Sequence, residues 1–321
     1  MSQPHVLVAD WYQPEFGLES EALAAAGFGW SLPEWRPPPP PREEQVKSLL
    51  ARISKLPRVD AVLFILAPLP AVVIDALPST CRLLQRVGIG LDTVDLDRAR
   101  NRGIAVDNTP DYAIEEVAVH ALGMTLSLHR QLAATQSYLL AGNWRIQPPS
   151  PIDRLSTLTL GLVGLGRIGR RFAELARPFF ARVLFHDPAV ASAPAGLESA
   201  GLEIVLRESD VVSLHCPLLS ATRDLINART LALMKPAAYL VNVARGGLVD
   251  APALAEAIRA GKLAGAGLDV YEPEILPADS PLRTLGDRVI LTSHTAWYSR
   301  HSVQDCRSQA IEKVIRKLKA A

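Results

Sequence analysis

Residues 158–187 constrain this chain more than any other stretch. An apolar run, Leu158–Val163, leads into Gly164-x-Gly166-x-x-Gly169; helix-compatible residues follow to Arg177, Pro178 interrupts them, and a second apolar run, Val183–Phe185, ends at Asp187. The order is strand, glycine turn, helix, strand, acid, which is how a parallel α/β unit that binds a dinucleotide begins. Gly164 permits the tight turn, Gly166 lets a pyrophosphate approach the backbone, and Gly169 lets helix and strand pack closely. The helix N-terminus offers its unpaired N–H groups to the phosphates. Arg167 and Ile168 complete the loop; Arg167 reads either as a flank to the phosphates or as a solvated helix residue. Asp187 lies 18 residues after Gly169, near the spacing of an acid that hydrogen-bonds an adenosine ribose. Its charge would repel a 2′-phosphate, so the expected cofactor is NAD rather than NADP. A bare glycine triplet is a weak signal; here the flanking strand, helix and acid agree with it.

The rest of the chain alternates in the same way. At 321 residues it is long enough for two domains. Before residue 110, strand candidates at His5–Ala9, Ala61–Leu66, Leu83–Val87 and Ile104–Val106 alternate with helical stretches at Glu19–Ala26 and Ala71–Leu77, which reads as a small parallel α/β unit. One long helix is expected from Ile114 to about Ala141. Beyond it the strand candidates are Leu158–Val163, Val183–Phe185, Val211–Leu214, Ala238–Asn242, Ala264–Leu268 and Val289–Leu291, and a last helix spans about Gln304–Lys319. The prolines at Pro37–Pro41 read as a stiff surface loop.

Basic and acidic side chains number 34 and 33, for a net charge of +1, so neither a nucleic-acid nor a membrane-surface partner is expected. The opening residues carry no basic stretch followed by an apolar run, and no apolar run is long enough to span a bilayer. The three cysteines, Cys81, Cys216 and Cys306, form neither a disulfide framework nor a zinc spacing. A cytoplasmic protein without a metal centre is expected.

Three later segments end predicted strands: Asn242-Val243-Ala244-Arg245, Leu268-Asp269 with Glu272-Pro273-Glu274, and Thr292-Ser293-His294. In an open parallel sheet such ends face the ligand crevice. Reducing a 2-keto acid there requires a cation for its carboxylate, a proton donor for its carbonyl oxygen and a group that tunes the donor. Arg245 offers a fork of donors at any working pH. His294 changes protonation near neutrality. Glu274 can orient the imidazole and favour its charged form. Singly, each residue also reads as a surface or core side chain; the case rests on their order after the glycine loop.

With these segments in place, the chain resembles the NAD-dependent D-isomer-specific 2-hydroxyacid dehydrogenases. The resemblance runs from RVGIGLDTVDLDRARNRGIAVDNTP through GLVGLGRIG, HCPLLSATRDLIN and LMKPAAYLVNVARGGLVD to GAGLDVYEPE and LTSHTAWYS. It looks most like the branch of phosphoglycerate-dehydrogenase-like proteins and C-terminal-binding-protein corepressors. The resemblance implies an α/β fold of two Rossmann-like lobes, each a parallel sheet flanked by helices. The cofactor lobe, 111–293, would be inserted in a substrate lobe of 1–110 and 294–321. It implies Arg245, Glu274 and His294 as the catalytic trio, and Val87, Gly88 and Ile89, with Arg245 and Trp297, around a small 2-keto or 2-hydroxy acid. Cys216, Pro217 and Thr222 would lie along the adenosine; Val243, Ala244, Arg245, Asp269, His294 and Ala296 would border the nicotinamide. A homodimer built on the helix at 114–141 is implied as well.

Departures from the family pattern are Ile275 where a proline is common after the glutamate, Val119 where a glutamate is frequent, and Arg154-Leu155-Ser156 before the glycine strand. None removes a catalytic group. An alternative from another class is a nucleotide-sensing, corepressor-like binding protein with vestigial turnover.

Overall fold

The computed structural model describes residues 3–13, 15–33 and 41–320; of the proline-rich segment only Pro41 falls among them. The chain forms two compact units, one of Met1–Ala113 with Ser299–Ala321 and one of Ile114–Tyr298. The return crossing falls after Tyr298 rather than at residue 294, so His294, Ala296 and Trp297 belong to the unit that carries the glycine loop.

The first unit holds a parallel sheet of β1 (His5–Val8), β2 (Gly29–Ser31), β3 (Ala61–Phe64), β4 (Leu83–Arg86) and β5 (Ala105–Asp107), in the order β2-β1-β3-β4-β5. Its helices are α1 (Gly17–Ala25), α2 (Arg42–Ile53), α3 (Ala71–Ala76), α4 (Leu96–Asn101) and the C-terminal helix Arg300–Lys319. Alternate residues of a strand point to opposite faces, and both faces of this sheet are covered. Val6 and Val8 pack with Leu23, Cys306 and Val314, whereas Leu7 packs with Leu49, Ile53 and Ile74. That two-sided burial is why its strands read as short unbroken apolar runs. Strand β2 and helices α2 and α4 escape such a reading, since β2 is half-buried throughout and α4 is a single polar turn or two capped by Asp95.

The second unit begins with α5 (Ile114–His129) and α6 (Leu132–Leu140), followed by β6 (Thr159–Val163), α7 (Arg167–Ala176), β7 (Arg182–His186), β8 (Glu198–Ser199) and α8 (Leu202–Glu208). It continues through β9 (Val211–Leu214), α9 (Ala228–Leu231), β10 (Tyr239–Asn242), α10 (Ala251–Arg259), β11 (Gly265–Leu268) and β12 (Val289–Leu291). All its strands are parallel, in the order β12-β11-β10-β9-β6-β7-β8. One core packs Leu184, Val212, Leu214 and Leu240 against Val205, Leu254 and Ile258. Helix α7 buries Gly169, Phe172, Ala173 and Ala176, the i, i+3, i+4, i+7 face of an amphipathic helix.

The single helix expected over 114–141 is two. Arg130 and Gln131 separate them, and Gln131 takes a left-handed backbone with φ of 53°. Its carboxamide donates to Ser150 O at 3.0 Å and accepts Ser150 N–H at 3.1 Å. The break thus fastens the returning proline-rich link, and α6 buries none of its residues.

Candidate active site

The sheet order of the second unit reverses between β6 and β9, and such a switch point opens a crevice beyond the strand ends. The glycine loop fills it. Gly164 has φ of +96°, and a Cβ there would lie 2.6 Å from Cys216 N, the backbone leaving β9. A Cβ on Gly169 would lie 2.4 Å from Gly164 O, so the first turn of α7 closes on the loop only because that residue lacks one. Gly166 is the N-cap of α7, and a Cβ there would meet nothing within 4 Å. Open space thus stands over the N–H groups of a helix terminus, which fits the pyrophosphate of a dinucleotide. Arg167 and Ile168 form the first turn, Arg167 exposed and Ile168 half-buried.

Asp187 follows β7, and its carboxylate accepts Leu165 N–H at 2.7 Å and Ala189 N–H at 2.9 Å. The acid is therefore fixed against the glycine loop. On the other flank, Thr222 donates to Pro217 O at 2.7 Å and accepts Leu219 N–H at 2.8 Å, which folds back the loop after Cys216 and Pro217. Burial pushes the Cys216 thiol up to about 11, so it is a neutral lining group and not a thiolate. Beneath the loop the His215 ring meets Ser213 Oγ at 2.9 Å and Phe172 at 4.9 Å between centroids. Burial pushes this imidazole down to about 3.

Arg245, Glu274 and His294 follow the carboxyl ends of three neighbouring strands, β10, β11 and β12. Buried Asn242 clamps the first turn: its carboxamide accepts Ala244 N–H at 3.0 Å and donates to Arg245 O at 2.8 Å. The Arg245 guanidinium donates back to Ala244 O at 2.7 Å, and Val243 beside it is buried. A Cβ on Gly246 would fall 1.9 Å from Tyr271 C, so the arginine turn lies directly on the loop that leads to Glu274. Tyr271 is buried, with its hydroxyl 2.9 Å from Leu268 O and 2.8 Å from Thr292 O. It ties the end of β11 to Thr292, two residues before His294.

His294 Nδ1 donates to Glu274 Oε1. That leaves Nε2 for a ligand, and both side chains keep solvent access, at 37% and 46%. The His294 backbone has φ of 54°, a region costing a residue with a Cβ on the order of 1 kcal/mol. Its N–H is held by Asp269 O at 2.8 Å. The chemical reading is direct: an imidazole with one nitrogen held by a carboxylate can pass a proton through the other.

The central residues, 122–296, match the family described as D-isomer specific 2-hydroxyacid dehydrogenase, NAD binding domain. The chain belongs to the D-isomer-specific 2-hydroxyacid dehydrogenases. A hydroxypyruvate reductase of Thermotoga maritima is 36% identical over 74% of this chain and 78% of its own length. A glyoxylate reductase of Thermofilum pendens is 35% identical over 88% of this chain and 83% of its own. Among solved structures, D-lactate dehydrogenase from Aquifex aeolicus, complexed with NAD and lactic acid, matches with a TM-score of 0.84. It is 28% identical, and the match covers 98% of this chain and 96% of that one. The dehydrogenase is an NAD-dependent oxidoreductase of 2-hydroxy and 2-keto acids. These relatives are named for the reactions they catalyse and lend nothing to a binding-only, corepressor-like reading.

The remaining expected site residues of the dehydrogenase are placed as follows. Val87, Gly88 and Ile89 follow β4 in the first unit, with Gly88 at φ of +140°. Val87 N–H donates to Phe64 O at 2.8 Å and Gly88 N–H to Thr109 Oγ1 at 2.8 Å. Those two amides serve the unit's own structure. Ala296 is buried, and Trp297 stands edge-on to Tyr298 at 5.7 Å. Asp269, expected to touch the nicotinamide amide, is fully buried and holds the His294 loop: it accepts Thr295 N–H at 2.9 Å and Ala296 N–H at 3.0 Å. Sequence reasoning passed over Asn242, Gly246, Tyr271, Thr292 and His120. Asn242 and Thr292 lie inside named segments and Gly246 borders one, but none was given a role; His120 carries no local signal, since its partner lies 172 residues away.

Proposed function

We propose that the protein is a reductase of small 2-keto acids, glyoxylate and hydroxypyruvate first, with Arg245, Glu274 and His294 as its catalytic residues. The observation that carries this is the Glu274–His294 hydrogen bond at the strand ends of the unit that bears the glycine loop. Bound NADH supplies the hydride. The Arg245 fork pairs with the substrate carboxylate and polarises the keto oxygen. His294 Nε2 gives its proton to that oxygen as the alkoxide develops, and in oxidation takes it back. Glu274 holds the imidazole through Nδ1, which keeps Nε2 for the substrate. The names of the hydroxypyruvate and glyoxylate reductases support the choice of acid. Asp187 sets the preference for NADH over NADPH.

The enzyme works in the cytoplasm as a homodimer. Its exposed apolar residues support the dimer: Leu132, Leu139 and Leu140 on α6, and Trp144 and Ile146 just after it, the last 94% exposed. Among the described residues no helix is long and apolar enough to cross a membrane.

The test is NADH oxidation by the purified chain against glyoxylate, hydroxypyruvate, pyruvate and bulkier 2-keto acids. The two smallest hydroxylated or unsubstituted acids are expected to give the highest kcat/KM. A maximum on a bulky keto acid would reject the substrate assignment, and no turnover on any acid would reject the reductase reading.

A further inference from the structure

A hydrogen-bond chain enters the His294 loop from α5. His120 Nε2 lies 3.1 Å from Thr292 Oγ1, and Thr292 Oγ1 lies 2.5 Å from Asp269 Oδ1. A carboxylate only accepts, so the Thr292 hydroxyl proton points to Asp269. The hydroxyl oxygen is then the acceptor, and His120 must present Nε2–H. The direction of the chain, from imidazole through hydroxyl to carboxylate, follows from valence.

Its far end is the loop itself. Asp269 is 0% exposed, and three consecutive N–H groups converge on it: His294 N on its carbonyl oxygen, Thr295 N on Oδ1 and Ala296 N on Oδ2. The left-handed backbone of His294 sits within that clamp. Rotation of the Asp269 side chain would release two of the three bonds and let the imidazole swing away from Glu274. Thr292 and His120 oppose that rotation. Thr292 is itself fixed, its N–H donating to Leu268 O at 3.0 Å and its carbonyl receiving the Tyr271 hydroxyl. His120 is fixed by its helix, which packs against β10, β11 and β12.

We propose that His120 and Thr292 are positioning residues: through Asp269 they hold residues 294–296, and so set where the proton-donating nitrogen of His294 stands. This rests on the reading of His294 as the proton donor. Neither residue touches the reacting atoms in the proposal, and both act on the geometry of one that does.

The test uses the full chain with NADH and glyoxylate. Thr292→Val keeps the shape and removes the hydroxyl. It is expected to lower kcat about tenfold or more, as a small misplacement of a catalytic group does. It is also expected to alter the pH profile of the reductive kcat/KM, because the contact between His294 and Glu274 is loosened. Thr292→Ser should restore both. His120→Ala should move both in the same direction, and His120→Ala combined with Thr292→Val should be no worse than Thr292→Val alone, since the two residues form one chain. A wild-type profile and turnover in Thr292→Val would overturn the proposal. So would a defect that serine does not repair, or additive effects in the double variant. Should Thr292→Val not fold, His120→Ala against His120→Gln, which keeps a donor, reads the same point by loss and recovery. His294→Gln measured alongside separates the two readings. Full turnover in that variant sinks the proton-donor assignment, whereas its inactivity beside a normal Thr292→Val sinks the positioning chain alone.

Discussion

Glu274 occupies one nitrogen of the His294 ring, and under the proposed function proton transfer falls to the other. Asp187 is a comparable case, since its carboxylate is spent on Leu165 and Ala189 N–H groups yet stands beside the loop that would receive the adenosine phosphates. Under the proposed function its charge, not only its hydrogen bonds, sets cofactor choice. Asp187→Ala is expected to narrow the preference for NADH over NADPH by about tenfold, the equivalent of ~1.4 kcal/mol. The ratio of kcat/KM for the two cofactors reads this, and an unchanged ratio would remove the role. At this scale the sequence was informative wherever a residue type has few physical uses. Gly164 and Gly169 each stand where a Cβ would strike backbone. Asp269 was placed at the right strand end, but its principal partners, Thr292, Thr295 and Ala296, meet it only because β11 and β12 pair side by side.

Among the elements, buried parallel strands were the most legible. Strands β6, β7, β9, β10, β11 and β12 fall within a residue or so of the apolar runs that announce them, because burial on both faces makes the whole run apolar. The long helix was misjudged. Its periodicity continues across Arg130 and Gln131, and the break is decided by Ser150, 19 residues further on. Helix α6 and the residues just after it thus present an apolar surface that their own unit does not cover, with Leu140 77% and Trp144 81% exposed. A second copy is the expected cover. Sedimentation equilibrium at micromolar concentration should give twice the chain mass, and Leu140→Glu with Trp144→Glu should give the chain mass. A monomeric unmutated chain would exclude the dimer.

For the whole molecule, burying neutral histidines links folding to pH. His215 is held near 3 by burial, against about 6.5 in an unfolded chain. Between those values the unfolded state binds a proton that the folded state refuses, so stability falls as pH drops below about 6.5 and levels off near 3. Between pH 7 and pH 5 this one group removes about 2 kcal/mol. His5 and His129, also depressed by burial, act in the same direction. Denaturant titrations at both pH values should show His215→Asn losing about 2 kcal/mol less than the unmutated chain; equal losses would place the ring outside the core. The sequence by itself determined the strand–helix alternation, the glycine turn and the strand ends after which Arg245, Glu274 and His294 stand, because each depends on local periodicity or on a residue with few physical uses. Tertiary structure alone decided the break at Gln131, the left-handed turn of His294, and the convergence of His120, Thr292 and Asp269 beneath it. Those depend on hydrogen-bond partners far apart in the chain, and only folding brings such groups within reach of one another.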